Sequence, residues 1–263
     1  NNVKIKIKYF KVSMSSNLVF VQKEKDRILE PEIFKQNNLI ECSFEELSTW
    51  SEIHHDLLNE IIAVFQHRDS TEDHLFNEEF KRKLFIRRKT LEKNTLIKRK
   101  TNNEIFVLLK KMRDTSFTIK NIYQTKGYKT TAALSFFEKV LLHEHQGKDS
   151  YFEIVYSELF ALLCTKDYSL KYGNYSKLNL LKTTKLKSKY AKAIFEMLEA
   201  NKYKKTFTIK EIDLKKYLKY DVKNYKFSYL TREITRAYEQ VKCLIDFNYI
   251  AHKTDKSVTF KII

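Results

Sequence analysis

Between Phe227 and Ile262 the hydrophobic period changes once, from helical to alternating, and that change limits what this part of the chain can fold into. Phe227, Leu230, Ile234, Ala237, Tyr238 and Val241 recur at steps of three and four. At roughly 100° per residue they share one stripe of an amphipathic helix. Arg232 falls opposite that stripe, with Tyr229 and Arg236 beside it and Ser228 and Thr235 on the flank. From Ile245 the period becomes two: Ile245, Phe247 and Tyr249 alternate with Asp246 and Asn248, then Val258, Phe260 and Ile262 with Thr259 and Lys261. Lys253, Thr254, Asp255 and Lys256 lie between and suit a hairpin turn.

A helix followed by a basic-tipped hairpin is how a winged helix ends, and the preceding residues supply the rest of one. Ser188 is a good N-cap for a helix whose inner face is Tyr190, Ala191, Ile194, Phe195 and Leu198; "TFTI" then predicts a strand and "KEIDLKKYLKY" a short helix. An earlier stretch has a similar order. "TNNEIFVLLKKMRD" predicts a helix with Ile105, Leu108, Leu109 and Met112 inward. Asn103 and Lys110 face out, with Lys100 and Arg113 near the ends. Lys100, Asn102 and Asn103 serve equally well as DNA contacts or as the capped, solvated start of that helix. The alternation Leu134, Phe136, Val140, Leu142, the "HQGKD" turn and "YFEIVY" predict a hairpin, closing a first helix-plus-wing unit near Tyr156. Upstream, Ser43 is expected to cap a helix over 44–66, and Val3, Ile5, Ile7 and Tyr9 alternate with lysines as in a strand. The predicted fold class is α+β: two winged-helix domains in tandem, helix-rich with small β-hairpin wings. The expected division is an N-terminal strand or extension at 1–40, a first winged helix at 41–178 and a second at 179–263.

Charge points to a polyanionic partner. The 263 residues carry a formal net charge of +17, unevenly placed: residues 24–79 sum to −11 and residues 80–263 to +23. The acidic stretch reads as a solvated helical face, including His54 and His55 as surface residues; a protein-facing element or an intramolecular charge partner is the alternative. Cys42, Cys164 and Cys243 stand far apart in no pairing or metal pattern, as expected in a reducing cytoplasm. No apolar run approaches the roughly 18 residues of a membrane span, and the N-terminus has no signal-peptide h-region, so no membrane partner is expected.

Catalytic readings fare poorly. His143 and His145 in "HEH" resemble the metal-binding His-x-His of rolling-circle replication nucleases, but Glu144 stands where that motif is apolar, the pair sits at a predicted hairpin tip and no convincing third ligand accompanies it. Gly127, Gly147 and Gly173 are isolated, so no phosphate-binding loop is present. No metal, other cofactor or catalytic residue is expected.

Residues 150–263 resemble the C-terminal part of the iteron-binding replication initiators of theta-replicating plasmids. The resemblance rests on "YFEIVYSELFALL", then "LKSKYAKAIFEMLE", where the family has a small polar residue, Tyr-Ala and a Leu/Ile-Tyr/Phe-Glu helix. It continues through "FTIKEIDLKKYL" and "YLTREITRAYEQV" to the last strand, "SVTFKI". Residues 80–156 fit the family's first winged helix in element order only. The resemblance implies a non-enzymatic protein that binds repeated double-stranded origin sites as a monomer, helps to open adjacent AT-rich DNA and recruits host replication proteins such as the helicase. It also implies a homodimer, joined through the first domain, that represses its own promoter. On this reading the third helix of the second unit enters a major groove, with Arg232 and Arg236 reading bases. Lys226, Ser228, Tyr229 and Thr235 meet the backbone or flank, and Lys253 and Lys256 grip the duplex from the wing. Lys100, Asn102, Asn103, Lys110 and Arg113 are the candidates in the first unit. A winged-helix regulator on a single operator is the alternative reading, with a rolling-circle DNA-nicking enzyme a more distant one.

Overall fold

A computed structural model describes residues 32–41, 43–44, 51–66, 82–92, 95–125, 128–146, 149–165, 170, 175–218 and 226–263. The strand expected at residues 3–9 lies outside them. In chain order the elements begin with β1 (Glu32–Gln36), α1 (Asn37–Ile40), β2 (Ser43–Phe44), α2 (Glu52–Gln66) and β3 (Lys83–Arg87). Next come α3 (Arg88–Leu91), α4 (Thr95–Lys98), α5 (Asn102–Asp114), β4 (Ser116–Thr125), β5 (Tyr128–Ser135), β6 (Phe137–His143) and β7 (Tyr151–Tyr156). Then follow α6 (Glu158–Cys164), β8 (Tyr175–Asn179), α7 (Leu180–Thr183), α8 (Lys189–Asn201), β9 (Thr206–Lys210), α9 (Glu211–Tyr217), α10 (Phe227–Lys242), β10 (Phe247–His252) and β11 (Ser257–Ile262).

Two units repeat one plan. In each, a long helix leads to a strand, then shorter helical pieces, a long helix and a hairpin: α2, β3, α3 to α5, β6 and β7 in one; α8, β9, α9, α10, β10 and β11 in the other. Each sheet is antiparallel with the last strand in the centre, β3-β7-β6 and β9-β11-β10. These are tandem winged helices of an α+β fold with small hairpin wings.

The expected helical stripe is the core of the second unit. Leu230, Ile234, Ala237 and Val241 are buried in the same core as Phe247 and Phe260, and Phe260 stacks on Phe207 of β9. At the start of α8 the expected cap is present: Ser188 Oγ accepts the Ala191 N–H. At the start of α5 the cap is Thr101, which forms a capping box with Glu104, rather than one of the asparagines that follow it.

Three features depart from expectation. Ser43 does not cap a helix, because Ser43 and Phe44 pair with Thr118 and Phe117, and α2 begins only at Glu52. Nor is α2 solvated: His54 and His55 are only 3% and 2% exposed, with Asp56 and Asn59 equally hidden, because α8 covers the side that the first unit leaves open. Its acidic residue Asp56 is an intramolecular charge partner, paired with Lys192. The third is the long hairpin of β4 and β5, inserted between α5 and the wing and extended by β2. A separate two-stranded sheet joins β1 to β8, with Ile33 opposite Leu178.

Candidate nucleic-acid interface

Helix α10 turns one face into the core and the other to solvent, so its burial pattern fixes which side chains can reach a ligand. Arg232 and Arg236 stand on the outer face, their side chains 52% and 63% exposed. The Arg232 guanidinium lies over the Tyr229 ring, 4.7 Å from its centroid. Between the two arginines Glu233, 13% exposed, accepts a hydrogen bond from Arg236 Nη1 at 2.9 Å and stands 3.8 Å from Arg232 Nε. The carboxylate thus holds Arg236 by a hydrogen bond and attracts Arg232 across a longer gap, while the Tyr229 ring supports the Arg232 guanidinium.

The wing is bound to the same helix. Thr235 Oγ1 hydrogen-bonds the Thr231 carbonyl at 2.9 Å and the Tyr249 hydroxyl of β10 at 2.8 Å; Tyr238 donates to Asn248 Oδ1 at 3.0 Å. Lys226 occupies the N-cap position, exposed, and its carbonyl accepts the Tyr229 N–H; Ser228 is exposed one turn before Arg232. All four turn residues, Lys253 to Lys256, are exposed at the hairpin tip. Lys256 takes a left-handed backbone, φ 51°, which lets its carbonyl accept the Glu211 N–H at 2.8 Å. Its ammonium lies 3.9 Å from the Glu211 carboxylate.

The first-unit candidates divide. Asn103 and Lys110 are exposed on α5. Lys100 pairs with Glu104 at 3.0 Å and Arg113 with Asp114 at 2.7 Å. Asn102 is a strut: its Nδ2 donates to Ser150 Oγ at 3.0 Å and Glu144 Oε1 at 3.3 Å, tying the helix start to the wing. The Thr101 N–H, followed by Lys100 and the Thr101 hydroxyl, holds the Glu104 carboxyl down at about 2, so the box stays closed at neutral pH. His143 stacks on Tyr151 and bonds Glu153 at 3.0 Å, packing the hairpin, while His145 turns to the Gln146 carbonyl. Among the described residues no group of three or more His, Cys, Asp or Glu is placed to hold a metal, and no helix is long and apolar enough to cross a membrane.

Two further residues contribute. In sequence Tyr249 marks only the alternation of a strand; its bond to Thr235 depends on tertiary contact. The role of Glu233 rests on its i,i+3 spacing to Arg236, a local signal present in the sequence.

In fold the chain is similar to the Pi initiator protein in its crystal structure with iteron DNA, with a TM-score of 0.55 and 14% identity. The alignment covers 89% of this chain and 97% of that one. Two crystal structures of domains 2 and 3 of RctB align more loosely. One has a TM-score of 0.47 and 10% identity over 80% of this chain and 82% of that one. The other has 0.44 and 11% over 79% and 80%. No family model and no curated protein matches the sequence.

Proposed function

We propose that the chain is a replication initiator that binds repeated double-stranded origin sites through its two winged helices. The observation that carries this reading is the outer face of α10, where Arg232 and Arg236 stand exposed around one orienting carboxylate while the opposite stripe is locked in the core. A guanidinium so held can bind guanine O6 and N7 bidentately. The net charge of +17 supplies the general attraction to phosphate. The fold shared with the Pi initiator, a protein seen bound to iteron DNA, favours an origin array over a lone operator.

On this reading residues 179–263 read sequence and residues 41–178 add backbone contacts and a dimerisation surface. The monomer engages the repeats and promotes opening of adjacent DNA, the dimer represses the promoter, and host replication proteins such as the helicase are recruited in the cytoplasm. Ser228, Lys226, Tyr229 and Thr235 meet the backbone beside the reading arginines, Lys253 and Lys256 flank the duplex, and Lys100, Asn103, Lys110 and Arg113 extend the contact. No bond is made or broken by the protein.

The test is chemical footprinting of the full chain on the DNA flanking its own coding sequence. Evenly spaced protections over direct repeats are expected. A single protected operator would replace the initiator by a regulator, and no protection at all would end the DNA-binding reading.

A further inference from the structure

Helices α5 and α10 match position by position when counted from their N-caps, Thr101 and Lys226. Ile105 and Leu230 are both fully buried four residues in, as are Leu109 and Ile234 eight residues in; Met112 and Ala237 are buried eleven residues in. The outward positions correspond as well, with Asn103 at the place of Ser228 and Lys110 at that of Thr235. At the position six residues in, where α10 presents Arg232, α5 presents Val107, 61% exposed.

A lone exposed aliphatic side chain is ordinarily unremarkable on a protein surface. Val107 is set apart by its position. Valine is a poorer helix former than the residues common on outer faces, so helix propensity does not account for its presence there. Its one strongly preferred χ1 rotamer in a helix holds both methyls in a fixed direction. The surroundings are polyanion-directed: residues 95–114 contain six basic and two acidic side chains. On the floor of a major groove the apolar target is the thymine C5 methyl.

We propose that Val107 is a thymine-methyl reader, so that α5 imposes a thymine at one step of the site while α10 reads guanine through its arginines. This rests on the DNA-binding reading above. It assigns the two helices different chemistry at one shared position.

The experiment takes the duplex protected in footprinting and replaces each thymine in turn by deoxyuridine, which deletes only the methyl. Binding of the full chain is titrated at one salt concentration, for the native protein, Val107→Ala and Arg232→Ala. One substitution, away from the bases sensitive to Arg232, is expected to weaken native binding about fourfold, the worth of one buried methyl group. Val107→Ala should bind both duplexes equally, and Arg232→Ala should retain the methyl effect. If every deoxyuridine is neutral to the native protein, or if the penalty survives in Val107→Ala, the inference is overturned while a specific footprint leaves the initiator reading standing. If Val107→Ala instead shifts sedimentation toward monomer with the methyl effect intact, Val107 faces a second copy and the inference also fails. Absence of any protected duplex removes both readings.

Discussion

Lys35 Nζ lies 2.9 Å from Glu196 Oε2, an ion pair sealed from water that joins residues 161 positions apart. Asn59 completes it, accepting from Lys35 and donating to Glu196, each at 3.0 Å. On the same helix Lys192 pairs with Asp56 and donates to the Thr183 carbonyl at 2.7 Å. Thus α8, the first helix of the second unit, meets α2 and β1 through two buried charges. Taking such charges out of water offsets most of their attraction, so their worth lies in fixing one arrangement of the units.

Removing one partner should therefore cost far more than removing both. Glu196→Gln leaves the Lys35 ammonium buried without its counter-charge and should destabilise the fold by roughly 3–5 kcal/mol. The double variant Lys35→Met, Glu196→Leu should recover most of that loss. Urea titrations with equal m-values would check this; a double variant as unstable as the single one would contradict the desolvation account.

Acid should loosen the same region in two windows. Burial first, and the Lys111 ammonium second, push the His54 imidazole down from 6.5 to about 4. Between those values the unfolded chain binds a proton that the folded chain refuses, so stability falls as pH is lowered from 6.5 to about 4. Burial pushes the Glu196 carboxyl up, but Lys35, His55 and the donated hydrogen bonds outweigh it and hold it at about 2. Its contribution is complete above about 4.5, its ordinary value, and is lost as pH falls toward 2. His54→Gln keeps an acceptor for the Ser51 N–H and should flatten thermal stability between pH 6.5 and 4.5 while leaving the lower slope. An unchanged profile would mean His54 does not carry the upper window.

What could be read from sequence was whatever depends on local period and local caps. The α10 stripe and the second wing follow from spacing, the Ser188 cap from its residue type, and the first wing from its turn and its β-rich last strand, although the alternation that marks it starts at Leu134, in β5. The rest depends on partners far along the chain. Ser43 looks like a helix cap until Thr118 is known to lie opposite it, and Lys35 looks solvated until Glu196 arrives. In the first strand of the β4 and β5 hairpin, Phe117 and Ile119 mark a buried face, but they stand in a lysine-rich tract whose pairing partners lie further along the chain. On α10 the spacing places Arg232 and Arg236 outward, but that Glu233 hydrogen-bonds Arg236 and Tyr229 lies under Arg232 is seen only in the structure.

The wing lysines should act through charge alone. Lys253→Ala should weaken binding to every duplex about equally and reduce the slope of log affinity against log salt by about 0.9. Lys256→Gly should do the same without disturbing the turn, since glycine accepts the left-handed backbone freely, whereas Lys256→Ala removes the charge and keeps a side chain there. A loss confined to one base step would assign these lysines to base reading.

Glu233 sets the balance between affinity and discrimination. Its carboxylate repels phosphate, yet it is hydrogen-bonded to Arg236 and close to Arg232, so it holds the two planar groups in one geometry. Glu233→Gln removes the repulsion and weakens the clamp. Binding to a scrambled duplex should tighten, by roughly three- to tenfold at low salt, while preference for the cognate repeat falls by a similar factor. Arg236→Ala, which loses the better-held guanidinium, should cost about 1–3 kcal/mol on the cognate duplex and far less on the scrambled one. Parallel titrations on both duplexes, with circular dichroism to confirm the fold, separate the cases. Should Glu233→Gln tighten cognate and scrambled binding by the same factor, the carboxylate is only a repulsive charge, and the orientation of Arg232 and Arg236 must come from the DNA itself.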